Sequence, residues 1–316
     1  MKVLVTGADG FVGGWLIREL LHHGHHVVGA VRVGASQPAL LTEQERLRVD
    51  WIDFDLLAAE SMVALATCRA EAVIHLAAVA SGADARQDPG YAWNANAAGT
   101  ARLVEAIGRS KAAGASDPLL VVVSTGEVYG AGPGRPLTET DPVHPRSPYA
   151  ASKWGAEIAA RECADRAGLR LVIARAFPHT GPGQHQKYVV PALAARLRTA
   201  KRVSAPVIKT GNLDPIRDLL DVRDVARAYR LLLEHGSPGQ VYNVASGVGT
   251  RLADVVDRLM DFLAYRVILE SDPALRREND LPYLVGDPTR IQRDLGWMPT
   301  IALDQTLKEL LDAQAD

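Results

Sequence analysis

The stretch Lys2-Val3-Leu4-Val5-Thr6-Gly7-Ala8-Asp9-Gly10-Phe11-Val12-Gly13 decides the fold. An apolar run of strand length enters a turn with glycines three residues apart, and the helical pattern Phe11–His23 follows at once. In such a turn Gly7 and Gly10 let backbone approach a bound anion, while Gly13 lets the helix lie close on the strand. The helix N-terminus adds oriented N–H groups and the positive end of its dipole. A glycine turn by itself is often only a turn. Its place between the first strand and the first helix makes it a pyrophosphate cradle.

Outward from this turn, short apolar runs alternate with amphipathic segments. His26–Val31, Val49–Phe54, Ala72–Leu76, Leu119–Ser124 and Arg170–Arg175 read as strands, and Ala95–Ala113 as a helix. Apolar runs without two-residue alternation suit strands covered on both faces, so a Rossmann-like, doubly wound parallel α/β sheet is expected. After Phe177, glycine and proline cluster and arginines break the pattern; helices are expected at Tyr188–Arg198, Val222–Glu234 and Leu252–Ala264, with a loop at Thr210–Arg217. The expected division is a cofactor domain, 1–176 with a returning segment of about 218–244, and a smaller interleaved C-terminal substrate lobe, about 177–217 and 245–316.

Bulk properties exclude other classes. The 316 residues carry a formal net charge of -2, which gives no field for nucleic acid or an anionic membrane. No apolar run approaches the roughly 18 residues of a membrane span. Cys68 and Cys163 stand far apart, so neither a disulfide framework nor structural zinc is expected, and a cytoplasmic location fits. The tract His22-His23-Gly24-His25-His26 falls where the first helix should end, with Gly24 as its cap, and no metal site is read there.

After the second strand the chain reads Arg32-Val33-Gly34-Ala35-Ser36, without the acid that would hold a ribose 2′-hydroxyl. Arg32, with Ser36, suits a 2′-phosphate instead, so NADP(H) is expected, with NAD(H) as the alternative. Asp55-Leu56, after the third strand, either flanks the adenine or simply caps a helix. Tyr149 and Lys153 stand four apart, on one face of a helix. There the Lys153 ammonium is expected to lower the Tyr149 phenol and favour proton exchange near neutral pH. Thr125, at the carboxyl end of the strand Leu119–Ser124, is placed to orient a substrate oxygen toward Tyr149, and Glu127 is a candidate acid or base.

Together these pieces resemble the extended short-chain dehydrogenase/reductase family. The matching residues are Thr6-Gly7-x-x-Gly10-x-x-Gly13, His75-Leu76-Ala77-Ala78, Asn96-x-x-Gly99-Thr100, Ser124-Thr125-x-x-x-Tyr129-Gly130 and Tyr149-x-x-x-Lys153, in family order over the first 175 residues. The resemblance implies that Tyr149 is the acid/base, that Lys153 holds it and the nicotinamide ribose, and that Thr125 binds the reacting sugar oxygen. It places Gly7, Asp9, Gly10, Phe11, Val12, Gly13, Leu76, Ala77, Ala78 and Asn96 around the cofactor.

The second half is similar to GDP-mannose 4,6-dehydratases and GDP-4-keto-6-deoxymannose reductases. The likeness runs through Phe177-Pro178-His179-Thr180-Gly181-Pro182-Gly183-Gln184, Gly211–Asp218, Asp221–Val225, Tyr242–Gly247 and Gly296-Trp297-Met298-Pro299. It implies that Arg217 and Arg277 clamp a diphosphate, with His179, Tyr188, Lys209 and Asn212 as pocket neighbours. The Ala-rich stretch Asn94–Ala113 and the helix starting at Tyr149 suit a homodimer interface, as in many members of the family it resembles. The short chain and the segments Leu219–Asp224 and Ser246–Arg251 favour a reductase. Glu127 keeps a dehydratase open, and an epimerase or a cofactor-sensing regulator on the same fold are the further alternatives. Pro178 stands where both groups usually have Asn.

Overall fold

The computed structural model describes residues 1–58, 60–62, 68–275 and 280–313. The apolar run before Gly7 is strand β1 (Lys2–Thr6), and Gly10 caps helix α1 (Phe11–His22). Then come β2 (His26–Val31), α2 (Glu43–Leu47), β3 (Val49–Asp53), β4 (Ala72–His75), α3 (Gly82–Gln87) and α4 (Pro89–Trp93). A π-helical turn (Asn94–Ala98) leads into α5 (Gly99–Ala112), β5 (Leu119–Thr125), a 3-10 turn (Gly126–Tyr129), α6 (Pro148–Ala167) and β6 (Arg170–Ala176). The remainder carries β7 (His179–Thr180), α7 (Val189–Arg202), β8 (Val207–Thr210), β9 (Ile216–Asp218), β10 (Leu220–Asp221), α8 (Val222–His235) and β11 (Val241–Val244). Last are β12 (Gly249–Arg251), α9 (Leu252–Leu263), β13 (Ile268–Ser271), β14 (Tyr283–Leu284), α10 (Thr289–Leu295) and α11 (Leu303–Ala313).

Seven strands form one sheet in the order β11-β6-β5-β4-β1-β2-β3, and every pair in it is parallel. Alternate residues of each strand serve opposite faces. Val3 and Val5 join Leu16, Ile17, Leu20 and Leu232 of α1 and α8 on one side; Leu4 and Val28 join Leu103, Val104 and Cys163 of α5 and α6 on the other. Each fully buried Leu or Val adds about 1.5–3 kcal/mol, which is why these strands read as unbroken apolar runs. The strand order reverses between β1 and β4. At such a switch point the loops after the two strands part and leave a crevice at their carboxyl ends. Thr6, His75 and Thr125 end the three strands that border it.

A separate apolar cluster joins Leu193 and Leu197 of α7, Val255 and Val256 of α9, and Leu307 and Leu310 of α11. Around it lie the small pairings β8–β13, β7–β10 and β12–β9–β14.

Two local expectations differ from the structure. The helix expected over Ala95–Ala113 begins as the π turn, which brings Asn96 onto Val79 and Ser152. The loop expected at Thr210–Arg217 runs into strand β9, because Ile216 and Arg217 pair with the distant β12 and β14, a partnership no local pattern announces. The histidine tract closes α1 as expected: Gly24 takes φ +76°, and the His25 amide bonds back to Leu20 O. His25 and His26 pair with Glu234 and Asp50 at 2.9 and 2.8 Å.

Candidate active site

The glycine turn is built for close approach. Gly7 has φ +69°, and a Cβ there would lie 2.8 Å from the Ala77 amide nitrogen; a Cβ on Gly13 would lie 2.4 Å from Gly7 O. The Gly10 amide donates to Gly7 O at 3.0 Å and closes the turn. Gly10 offers α1 no side-chain cap, and no acid stands in the first helical turn. The amides of Phe11, Val12 and Gly13 have no partner within the helix, which suits a pyrophosphate; Asp9 sits in the turn before them.

Along the same edge, Arg32 and Ser36 lie exposed after β2, and the first acid downstream of Arg32 is Glu43. Asp55 Oδ1 accepts the Leu57 amide at 2.8 Å, closing a turn after β3 rather than capping a helix there. Leu56 is buried against Gly99, where a Cβ would meet it at 3.0 Å. Leu76, Ala77 and Ala78 form the half-buried wall after β4. A dinucleotide with a 2′-phosphate fits these residues.

The chemistry sits where β5 ends. Thr125 is nearly buried; its Oγ1 accepts the Glu127 amide at 3.2 Å, and its side chain is near enough to lower the Tyr149 phenol. Ser147 caps α6 through the Ala150 amide at 3.1 Å, with Pro148 opening the helix, so Tyr149 falls in its first turn. Burial pushes the Tyr149 phenol up, and the Glu127 carboxylate and Tyr188 add to that; only Thr125 opposes them. The expected lowering by Lys153 does not govern the phenol: burial does, and Thr125 is the group that lowers it. Lys153 is itself buried: that pulls its ammonium down to about 8, against the supporting charge of Glu157.

Behind these groups lies a polar network that sequence reasoning missed. Arg175 grips Glu157 from Nε at 3.0 Å and Nη2 at 2.8 Å, and Ser124 Oγ donates to Glu157 at 2.5 Å. Arg175 Nη1 also donates to Tyr129 Oη at 3.0 Å, and Tyr129 donates to Asn243 at 2.7 Å. Asn96 accepts the Val79 amide at 2.7 Å and donates to Ser152 Oγ at 2.9 Å, and Ser152 donates to Tyr149 O at 2.8 Å. The detectable signal for Glu157 was its place four residues beyond Lys153.

The residues assigned to substrate divide. His179 Nδ1 bonds Phe177 O at 3.0 Å, and burial lowers this imidazole. Tyr188, the residue before α7, is near enough to act on the Tyr149 phenol. Beside it Lys187 ties to Asp84 at 2.9 Å. Lys209 faces Asp272 at 3.6 Å and lines a groove of about 520 Å³ with Arg196, Gln186, Thr199 and Ile208. Asn212 spends Oδ1 on the Asp214 amide at 3.0 Å, and Arg217 pairs with Asp280 at 2.6 Å. Arg277 lies outside the described residues.

The family described as GDP-mannose 4,6 dehydratase matches residues 4–310. The chain is similar to the GDP-6-deoxy-D-mannose reductase of Pseudomonas aeruginosa, with 34% identity over 313 residues, 98% of this chain and 96% of that protein. It is similar to the structure of RMD from Pseudomonas aeruginosa complexed with NADPH, with TM-score 0.82 and 31% identity over 99% of this chain and 98% of that one. It is also similar to the Thermus thermophilus UDP-glucose 4-epimerase in complex with NAD, with TM-score 0.86 and 28% identity over 100% of both. With the motifs, the sheet and its crevice in agreement, the chain belongs to the GDP-mannose 4,6 dehydratase family.

Proposed function

We propose that this chain reduces the C4 keto group of a GDP-4-keto-6-deoxyhexose with NADPH. The observation that carries the reading is the Thr125–Tyr149 hydroxyl pair, with Lys153 buried one helical turn along, at the crevice beside the glycine cradle. The relatives named above, a GDP-sugar reductase and a structure holding NADPH, support the substrate and cofactor.

In this reading the two hydroxyls hold the C4 oxygen, and Tyr149 passes its proton to that oxygen as negative charge develops there. A phenol kept high by burial arrives protonated, the state a reduction consumes. Lys153 then steadies the phenolate. NADPH, when bound, supplies the hydride. The first-turn amides of α1 would hold its pyrophosphate, Arg32 and Ser36 its 2′-phosphate, Leu56 and Asp55 its adenine end, and Leu76, Ala77, Ala78 and Asn96 the wall by the nicotinamide. Arg196 and Lys209 on the groove, with Arg217, suit a nucleoside diphosphate.

We further infer the division into a cofactor domain and a smaller lobe at the boundaries given above, because β11 completes the main sheet while α7, α9 and α11 share their own core. A homodimer is supported by an exposed apolar face: Tyr91 and Trp93 lie on α4, Trp93 packs over Gly155 of α6, and Ile158 continues the face. Two unpaired cysteines suit a cytoplasmic location. Among the described residues no helix is long and apolar enough to cross a membrane.

Dehydration of GDP-mannose is the second reading, and the Glu127 carboxylate acting on Tyr149 favours it. The test follows NADPH absorbance and product mass with GDP-mannose and, separately, with its 4-keto-6-deoxy product. Stoichiometric NADPH loss with the keto sugar alone, abolished in Tyr149→Phe, is the expected result. Water loss from GDP-mannose without net NADPH use overturns it and makes Glu127 the base.

A further inference from the structure

The carboxyl ends of β1 and β4 pair in register, Thr6 opposite His75. His75 is 1% exposed, and both of its ring nitrogens are engaged: Nδ1 with Thr6 Oγ1 at 2.8 Å, and Nε2 with Thr100 Oγ1 at 3.0 Å. A threonine hydroxyl has one proton to give. Thr100 gives its proton to Asn96 O, at 2.6 Å, the carbonyl four residues back within the π turn. Thr100 Oγ1 must therefore accept from His75, which puts the imidazole proton on Nε2. Nδ1 is then a bare acceptor, so Thr6 donates to it. Thr6 Oγ1 in turn accepts the Ala77 amide at 3.3 Å. Each donor in this buried chain points the same way, from Ala77 through Thr6, His75 and Thr100 to the Asn96 carbonyl.

Both ends of the chain touch functional backbone. Ala77 is the residue a Cβ on Gly7 would strike, so it forms the wall of the glycine cradle. Asn96 grips Val79 and, through Ser152, the first turn of α6 that carries Tyr149. π turns inside helices often mark functional positions, because they re-aim one residue without ending the helix. Here the re-aimed residue is Asn96.

We propose that His75 is a positioning residue whose single neutral tautomer fixes the glycine cradle and the Tyr149 helix relative to each other, so that cofactor seating and catalytic alignment are set by one imidazole. The inference rests on the cofactor reading above. The ring stays neutral in the working range: burial, helped by the nearby Lys153 ammonium, pushes it down to about 3.

The two halves of the ring can be replaced separately. His75→Asn keeps an acceptor where Nδ1 stands but cannot reach Thr100; His75→Gln keeps a donor where Nε2 stands but loses the bond from Thr6; His75→Phe loses both. NADPH affinity is measured by fluorescence titration without any sugar, and kcat by NADPH oxidation. The expected split is near-wild-type affinity with about ten-fold lower kcat for His75→Asn, and about ten-fold weaker NADPH binding for His75→Gln, with both losses in His75→Phe. A merely structural histidine would lower melting temperature in all three without this split. The tautomer is read in the wild-type protein from ¹⁵N-histidine spectra, with the His75 signals assigned by their loss in any variant that folds, or otherwise by triple-resonance assignment of the wild type.

Nitrogen shifts of a neutral Nε2–H ring, unchanged from pH 5 to 8, are expected. An Nδ1–H or charged ring, or unaltered affinity and kcat in His75→Phe, overturns the proposal. If the wild type binds NADPH but turns over no keto sugar, the functional reading fails, while the affinity and tautomer results still decide the role of His75.

Discussion

Replacing Glu157 by Gln keeps the side-chain shape and removes the charge that faces Arg175. Both partners are almost inaccessible, with side-chain exposures of 0% and 4%, so neither solvent nor a neighbouring loop can compensate. Arg175 keeps its bond to Tyr129 and its position over the rings of Tyr129 and Trp154, but its guanidinium loses the carboxylate it pairs with in the buried layer between β5, β6 and α6. Breaking a buried pair at one partner costs about 3–5 kcal/mol. The amide retains part of the hydrogen bonding, so the lower end, about 3 kcal/mol, is expected. At about 2–4 °C per kcal/mol this lowers Tm by about 6–12 °C. Calorimetry of the nucleotide-free protein at pH 7 reads the shift. The double variant Glu157→Gln/Arg175→Met should lose less than the sum of its singles, because no unpaired charge stays buried. A second readout separates this from simple loosening. Glu157 supports the Lys153 ammonium, whose pKa is about 8. The wild-type kcat/KM therefore falls as pH rises through that value, and in Glu157→Gln the fall begins at lower pH. A Tm within about 2 °C of wild type, together with an unmoved alkaline limb, refutes the reasoning.

Arg32→Ala should weaken NADPH about ten-fold while leaving NADH unchanged, as isothermal titration would show; equal loss for both cofactors removes Arg32 from the 2′-phosphate. Gly7→Ala forces a Cβ to 2.8 Å from the Ala77 amide nitrogen in a left-handed conformation, so cofactor binding should disappear in equilibrium dialysis. His75 has a folded-state value of about 3 against an ordinary 6.5, so its contribution to stability is present above pH 6.5 and is lost as pH falls toward 3. Urea unfolding between pH 4 and 7 should therefore depend on pH less steeply in His75→Gln, by as much as about 1.4 kcal/mol per pH unit; matching slopes contradict a buried neutral ring.

The main sheet was legible because its strands are covered on both faces. Val3–Val5, Val27–Val31 and Leu119–Val122 are apolar at nearly every position, and no other element of that length must be. The edges of the site were legible for a different reason: Gly7, Gly13, Tyr149 and Lys153 each meet a requirement that few residue types satisfy. What stayed hidden depends on contacts between distant segments. Glu157 and Arg175 look like two surface charges until α6 is laid against β6. The π turn at Asn94–Ala98 has no compositional mark, since its form follows from where Val79 and Ser152 stand. The lowering of the Tyr149 phenol by Lys153 was a fair inference from helix spacing, but spacing carries no information about desolvation. Arg217 was picked out by its motif, while its partner Asp280 arrives 63 residues later.

The outermost strand of the sheet, β11, is made from Val241–Val244, long after its neighbour β6 at Arg170–Ala176. A chain emerging from the ribosome therefore presents the bare edge of β6, with Ile173 and Ala174 waiting for Val241 and Tyr242, until roughly seventy further residues have been synthesised. A protein cut after β6 would keep that edge open for good and would pair through it with copies of itself. The cofactor-binding half expressed alone is therefore expected to self-associate, and shuffling it between relatives calls for carrying the later strand along.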